Sequence, residues 1–448
     1  MAILLDPSRQ QGYFSLGTLA VVPLAGGTPR ELLENVGAAD WTPDGRDLCV
    51  ARLSPKGDVA IELPPGKVLD WVPRSRGLSH LRVSPDGRYV AFQAGGRMKL
   101  ADREREVVKT LAELGANFWG LAWAPSGREV WFTEGASWGA RDVHAVDLEG
   151  RRRLVYRSTG VLAVMDVAPD GRPLLHRAFD HFEALALLPG GRAEQDVTVS
   201  DHSTVGALSA DGRLLLLNSL SGGAGNFADL RRDGGDPVRL AAGTGTDISP
   251  DGRSTLVVAD GELTEVPIGA GLSRKIDAGS LRVARACFLP HSPGGLMLLG
   301  RERTEPEGLW VIDREGAPPR KLDIGTPMSW AIAPDGRHVA VKTEVDIVTL
   351  VPLAGGPARA IRGLGKLSVT RWSGDGRSLF LARAGGRPCE IHRLDLATET
   401  VALWKQVAPS DLTGVLFCTD PVPSADGQSY AYAASRSVAS LIVAEGLR

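Results

Sequence analysis

His392-Arg393-Leu394-Asp395-Leu396 places an imidazole, a guanidinium and a carboxylate within five residues. A phosphoryl-transfer loop needs His-Arg-Asp-Leu, with an Asn four residues after the Asp to hold magnesium. Here Leu394 separates Arg393 from Asp395, and the chain lacks a Gly-rich phosphate loop, Val-Ala-Ile-Lys and Asp-Phe-Gly. The stretch reads as a strand. Gly135-Ala136-Ser137-Trp138-Gly139 matches Gly-x-Ser-x-Gly, which exposes a nucleophilic serine only at a strand-turn-helix corner. Its flanks, "EVWFTE" and "RDVHAVDL", are both strand-like, so it reads as a hairpin loop. His176, Asp180 and His181, then Asp201 and His202, are ligand types for zinc or iron. Their spacing does not make them converge, and they read as surface and rim residues.

Leu220–Leu230, "LSGGAGNFADL", is Gly-rich but lacks Gly-Lys-Ser/Thr and a following helix, so it cannot cradle a nucleotide. It is expected to be a long hairpin loop on one face, where a rigid scaffold binds partners. Trp119, Trp138 and Phe227 are candidates for exposed contacts there, whereas Trp41, Trp123 and Trp372 are expected to pack between sheets. No catalytic, cofactor-binding or metal residue is assigned, no cofactor is implied, and no enzyme activity is expected.

The elements that would have to position such groups repeat. "DWTPDGRDLCVARL" from Asp40 returns as "RVSPDGRYVAFQ", "DISPDGRSTLVV" and "AIAPDGRHVAVK". The turn glycines are Gly45, Gly87, Gly127, Gly171, Gly212, Gly252, Gly336, Gly376 and Gly427, spaced 42, 40, 44, 41, 40, 84, 40 and 51 residues apart. The 84-residue step spans two periods, with the degenerate turn "FLPHSPGGLMLL" between them. A period near forty is that of a propeller blade. Each period holds four short apolar or Arg-rich runs separated by turn residues, which are strands, and no run carries a sustained helical period.

Pro-Asp-Gly itself is a turn device. Proline presets φ, aspartate binds neighbouring amides, and glycine takes the positive φ other residues resist. So many copies along one chain mark scaffold, not acids.

The fold class is therefore all-β, a propeller of about ten to eleven four-stranded blades. Two tandem propellers of about six blades each are expected, at residues 1–195 (with an incomplete first blade) and 196–448, with one large ring as the alternative. "AEQDVTV" near the boundary is expected to supply a fourth strand to the last blade of the first ring. "SYAYAASRSVASLIVAEGLR" is expected to supply second and third strands to the last blade of the second.

Composition narrows function. A net charge of −2 gives no field that would draw nucleic acid. Arg151-Arg152-Arg153 suits an edge strand protected by charge. Cys49, Cys287, Cys389 and Cys418 lie far apart without a Cys-x-x-Cys, and read as buried free thiols. No run is long enough to span a membrane, and "MAILLDPSRQQGYF" lacks a basic leader, so the location is cytoplasmic by default.

The Ser-Pro-Asp-Gly-Arg repeats resemble those of TolB-type, WD-like propellers over almost the whole chain. "GTLAVVPLAGGTPRELLENVGAADWTPDGR", "RWSGDGRSLFLAR", "IHRLDLATETVALWK" and "ADGQSYAYAASRSVASLIVAEGLR" are similar to the C-terminal propeller region of bacterial serine/threonine protein kinases. That resemblance, from about residue 17 onward, implies a sensor or docking module in signalling, with a protein or peptide partner or a small ligand at a propeller face. It would place the module outside the cytoplasm if the chain is a fragment of a membrane kinase. The kinase domain itself has no counterpart among these residues, and "MAILLDPS" reads as a second strand, so the sequence is expected to start inside a blade. The alternatives are a propeller hydrolase or lyase working at its central channel, and a TolB-like cell-envelope component.

Overall fold

The computed structural model describes residues 1–9, 15–73, 80–115, 117–137, 140–158, 160–221, 225–303, 305–344, 346–383, 385–419 and 421–447. Among them there is no helix, hence none long and apolar enough to cross a membrane. The strands form antiparallel sheets, most of them four-stranded, repeated along the chain as the blades of a β-propeller.

The recurring turn works through a residue that the Pro-Asp-Gly reading passes over. In six of the turns a Ser or Thr two positions before the Asp donates its hydroxyl to that carboxylate, at 2.6 Å for Thr42–Asp44, Ser209–Asp211, Ser249–Asp251 and Ser373–Asp375, whereas Ala124, Ala168 and Ala333 stand there in the others. The same carboxylate oxygen accepts the amide two residues on, as Arg253 N at 3.1 Å and Arg377 N at 3.0 Å. The glycine amide closes the turn onto the Ser or Thr carbonyl, 2.8 Å at Gly45 and 2.9 Å at Gly376. Proline is dispensable: Gly374 and Ala425 take its place in two turns that keep every other bond.

Ser373 Oγ also accepts the Ser378 amide at 2.9 Å while 5% exposed. Ser373→Ala should therefore lower stability by about 1 to 2 kcal/mol, the loss of a buried hydroxyl that leaves an amide unpaired. Urea denaturation with an unchanged m-value is the check, and a change under 0.5 kcal/mol would refute this role.

The chain divides into two compact units, Met1–Phe179 with Val438–Arg448, and Asp180–Ser437, whereas the repeat count placed a boundary near residue 195.

In the first unit the sheets follow one another from a six-stranded sheet (Ala2–Val72) through Leu81–Glu113 and Trp119–Tyr156 to the pair Val161–Val167 and Pro173 onward. The N-terminal strands Ala2–Arg9 and Ser15–Val21 are part of that six-stranded sheet. Arg30–Trp41 runs on as a single strand, with a bulge between Val36 and Ala38. At the other end, Gly120 (φ +74°) pairs with Val164 in parallel. A Cβ there would lie 2.3 Å from the Val164 carbonyl oxygen.

In the second unit five four-stranded sheets cover Ser203–Ala242, Thr244–Ile276, Leu281–Lys321, Ser329–Ile361 and Ser368–Val407. A further sheet joins both ends of the unit. Val422–Pro423 pairs with the strand that begins at Tyr430, that strand neighbours the one ending at Leu187, and Gln195–Asp196 pairs with Leu185–Ala186. Apolar clusters link each sheet to the next around a complete circuit. Leu216 packs toward Val257, Leu256 toward Leu298, Met297 toward Val339, Ala340 toward Leu381, Phe380 toward Tyr432, and Ala431 back toward Leu215. Burying each such Leu or Val contributes roughly 1.5 to 3 kcal/mol.

Two sequence expectations fail at this closing sheet. "AEQDVTV" joins the second unit, not the first. The C-terminal run is one strand, Tyr430–Val443, because "ASRSVAS" holds neither Gly nor Pro to turn it. Pro173–Leu187 is continuous for the same reason.

Candidate functional site

Reading five residues back from each turn glycine gives Ala207, Asp247, Ala331, Arg371 and Val422 in the second unit, with Cys287 at the matching place before the degenerate turn. Each lies on the innermost strand of its sheet. All six line one cavity of about 680 Å³, together with Arg285, Trp330 and Thr370. The inner strand is a sheet edge, so some of its amides and carbonyls have no partner strand. Side chains from neighbouring sheets supply partners instead. Asp247 Oδ2 accepts the Phe288 amide at 2.9 Å, and Ser329 Oγ accepts the Val369 amide at 2.9 Å. The first unit repeats the device: Asp40 accepts the Val83 amide at 2.8 Å, and His80 Nε2 accepts the Gly120 amide at 3.3 Å. Burial, reinforced by the Arg82 charge, holds His80 at a pKa of about 4, neutral and able to accept.

Arg371 crosses the hub. Its guanidinium donates to Ser209 O at 3.2 Å, Pro423 O at 2.8 Å and Leu208 O, tying its own sheet to the first and last of the circuit. Arg285 behaves differently. It is exposed to the cavity, its Cζ sits 5.5 Å from the centre of the Trp330 ring, and no carboxylate lies within ion-pair distance among the described residues. Burial pushes the Asp247 carboxyl up to about 6, against the opposing pull of the Phe288 and Ile248 amides and the Arg371 and Arg285 charges. Burial also raises the Cys287 thiol well above its ordinary range, so it is no thiolate nucleophile at neutral pH.

None of these residues stands out in the sequence. Each sheet contributes one, about forty positions from the next, and the types alternate among Ala, Asp, Cys, Arg and Val. The available signal was the column itself, five places before the turn.

The stretches that did stand out serve the frame. His392 and Asp395 lie on the strand Cys389–Asp395. There His392 Nε2 meets Glu390 at 3.0 Å, Arg393 donates to Ser378 Oγ at 3.0 Å, and Asp395 closes a turn through the Ala397 and Thr398 amides. Ser137 ends the strand Glu129–Ser137 opposite Ala140, without a helix, while Trp138 and Gly139 lie outside the described residues. His176 stands opposite Ala163 in the first unit. In the second, Asp180 accepts the Ser437 hydroxyl at 2.6 Å and His202 packs on Phe182. Among the described residues no three His, Cys, Asp or Glu converge as a metal site.

Leu220–Leu230 forms a hairpin whose strands pair as far as Ser221 and Gly225, with 222–224 outside the described residues. Trp119 and Phe227 are half-buried, not free contacts. Arg141 covers Trp119 and Arg239 covers Phe227, the latter with its Cζ 4.0 Å from the ring centre. Trp123 and Trp372 pack between sheets as expected, each donating its indole N–H across to a neighbour, Arg82 O at 3.1 Å and Ala331 O at 3.0 Å. All four cysteines are free, and Cys287 is half-buried.

No family model matches the chain, and no similar curated protein was found. Solved structures similar to it include the tricorn protease, with 11% identity and a TM-score of 0.31, covering 78% of this chain and 46% of that one. The chain thus spans about half the length of that protease. A nidogen/laminin complex gives 13% identity and a TM-score of 0.40, covering 51% of this chain and 94% of that one. A TolB-type protein from Agrobacterium tumefaciens gives 12% identity and a TM-score of 0.32, covering 74% and 95%. At such identities these likenesses concern the fold.

Proposed function

We infer that the chain is a non-catalytic propeller module that binds a ligand in the axial cavity of its second unit. The observation that carries this reading is the cavity: about 680 Å³, framed by the inner strands of the circuit and holding, beside a tryptophan, an arginine that hydrogen-bonds to Cys287 but has no ion-pair partner among the described residues. That volume suits a small molecule or a peptide end. Binding is favoured over turnover because the polar groups in the cavity do not form a nucleophile–base–orienter set. The thiol is protonated, the carboxyl is bonded to a backbone amide, and Arg371 is committed to carbonyls. The strings at the two ends of the chain favour a finer version, in which the module is the sensing or docking half of a kinase-linked signalling system.

The test is a thermal-shift screen of a chemically mixed small-molecule library against the full chain and Thr370→Phe, whose ring would narrow the cavity at its wall. A stabilising compound whose effect vanishes in the variant is the expected result. Equal stabilisation of both proteins, or conversion of the compound to product, would contradict the reading.

A further inference from the structure

The charges around the axis of the second unit do not balance. The three carbonyls that hold Arg371 satisfy its hydrogen bonds but bring no negative charge. Arg285 adds a second fixed positive charge with no ion-pair partner among the described residues. Against them stands one carboxyl, Asp247, whose burial raises its pKa to about 6, so that it takes up a proton more readily than an ordinary aspartate. Cys287 contributes no charge.

The other charged groups of the cavity wall sit on its turns. Asp211 and Asp251 are bonded to Ser209 and Ser249, and Arg213 faces Asp233 at 3.6 Å. Arg232 and His291 complete that rim. On the rim the acids and arginines balance, but on the inner wall two guanidiniums, Arg371 and Arg285, stand against the single carboxyl of Asp247, with Trp330 and Trp372 beside them, an arrangement that favours an anion with a small apolar body.

We propose that the axial cavity is a carboxylate-binding site, in which Arg285 pairs with the ligand's carboxylate beside Trp330 and Asp247 takes up a proton as the ligand enters. The proposal rests on the reading of this cavity as the ligand seat and names the chemistry that fills it. An incoming anion repels the Asp247 carboxylate, so the bound state favours the neutral acid. By linkage, affinity falls with rising pH above about 6, by up to about tenfold per pH unit, and levels off below it, where Asp247 is already protonated. A cationic occupant would show the opposite slope.

The carboxylate has two natural sources, a free organic acid or a peptide C-terminus. Calorimetric titration of the full chain with succinate, and with acetyl-dialanine as free acid and as amide, separates them. Measured at about pH 6 and about pH 8, at least one free acid should bind at the lower pH and at least tenfold more weakly at the higher. Succinate alone points to an organic acid. The peptide acid without its amide points to a C-terminus. Arg285→Ala should abolish binding, and Asp247→Asn, which keeps an acceptor for Phe288, should bind with no pH dependence. Failure of every carboxylate at both pH values, affinity that rises with pH, or unimpaired binding by Arg285→Ala would overturn the proposal. If a neutral or cationic library compound still binds in a manner lost on Thr370→Phe, the ligand seat stands and only the carboxylate assignment falls.

Discussion

Glu194→Ala is expected to lower the stability of the second unit by about 4 kcal/mol, a drop in melting temperature of roughly 10 °C. The Glu194 carboxylate accepts both phenols of the closing strand, Tyr430 at 2.6 Å and Tyr432 at 2.8 Å, although 236 and 238 residues separate them in sequence. Tyr432 is wholly buried and Tyr430 is 3% exposed. Burial first, and the neighbouring carboxylate second, push both phenols above their ordinary range, so they remain donors at any working pH. Removing the acceptor leaves two buried hydroxyls unpaired, each a loss of roughly 1.5 to 3 kcal/mol for a bond to a charged group. Glu194→Gln keeps one oxygen and should recover about half of the loss. Thermal denaturation at neutral pH is the measurement. An alanine variant within 1 kcal/mol of the parent would mean that this contact does not hold the two ends together.

Asp247→Asn is expected to stabilise the protein, by an amount that starts to grow above about pH 4 and is complete by about pH 6. Burial, the dominant cause, raises this carboxyl from the ordinary aspartate value of 3.8 to about 6. Between those two values the folded chain holds a proton that the unfolded chain has released, so stability falls as pH rises through the window. Below about pH 4 both states are protonated and the residue contributes no pH dependence. Above about 6 both are ionised, and the full penalty of burying the charge persists. The rise to about 6 already contains the offset from Arg371 and Arg285, and it corresponds to a penalty on the order of 3 kcal/mol. Asn keeps an oxygen for the Phe288 amide and carries no charge. Urea denaturation near pH 4 should show parent and variant alike, and near pH 8 the variant ahead by about 3 kcal/mol. A variant that is less stable at both pH values would refute the assignment.

The turns were legible because their chemistry is local. Glycine and aspartate within six residues fix the corner, and the apolar runs on either side fix the sheets. The role of Ser373 was hidden by its neighbour. Proline draws the eye, yet Ser373-Gly374-Asp375-Gly376 makes every bond of the corner without it. The tryptophans at positions 123 and 372 were readable as packing residues because each falls on an apolar run just before a turn.

The closing sheet was not readable in the same way. Its partners, Glu194 and Tyr432, come from opposite ends of the unit, and the strand Tyr430–Val443 looked like two because the repeat predicts two there. The axial residues were hidden for a third reason. Asp247, Arg285 and Arg371 meet only because separate sheets present their inner edges to one cavity, so no window of sequence contains the site.

Closure of the second unit by strands from both of its ends is the claim on which the axial cavity depends. Amide hydrogen exchange read by mass spectrometry on the parent and Glu194→Ala tests it most directly. The structure predicts that segments 182–199 and 422–436 lose protection together in the variant, while the sheet Leu281–Lys321 on the far side of the circuit exchanges as before. Loss of protection in one end segment with the other unchanged would contradict it.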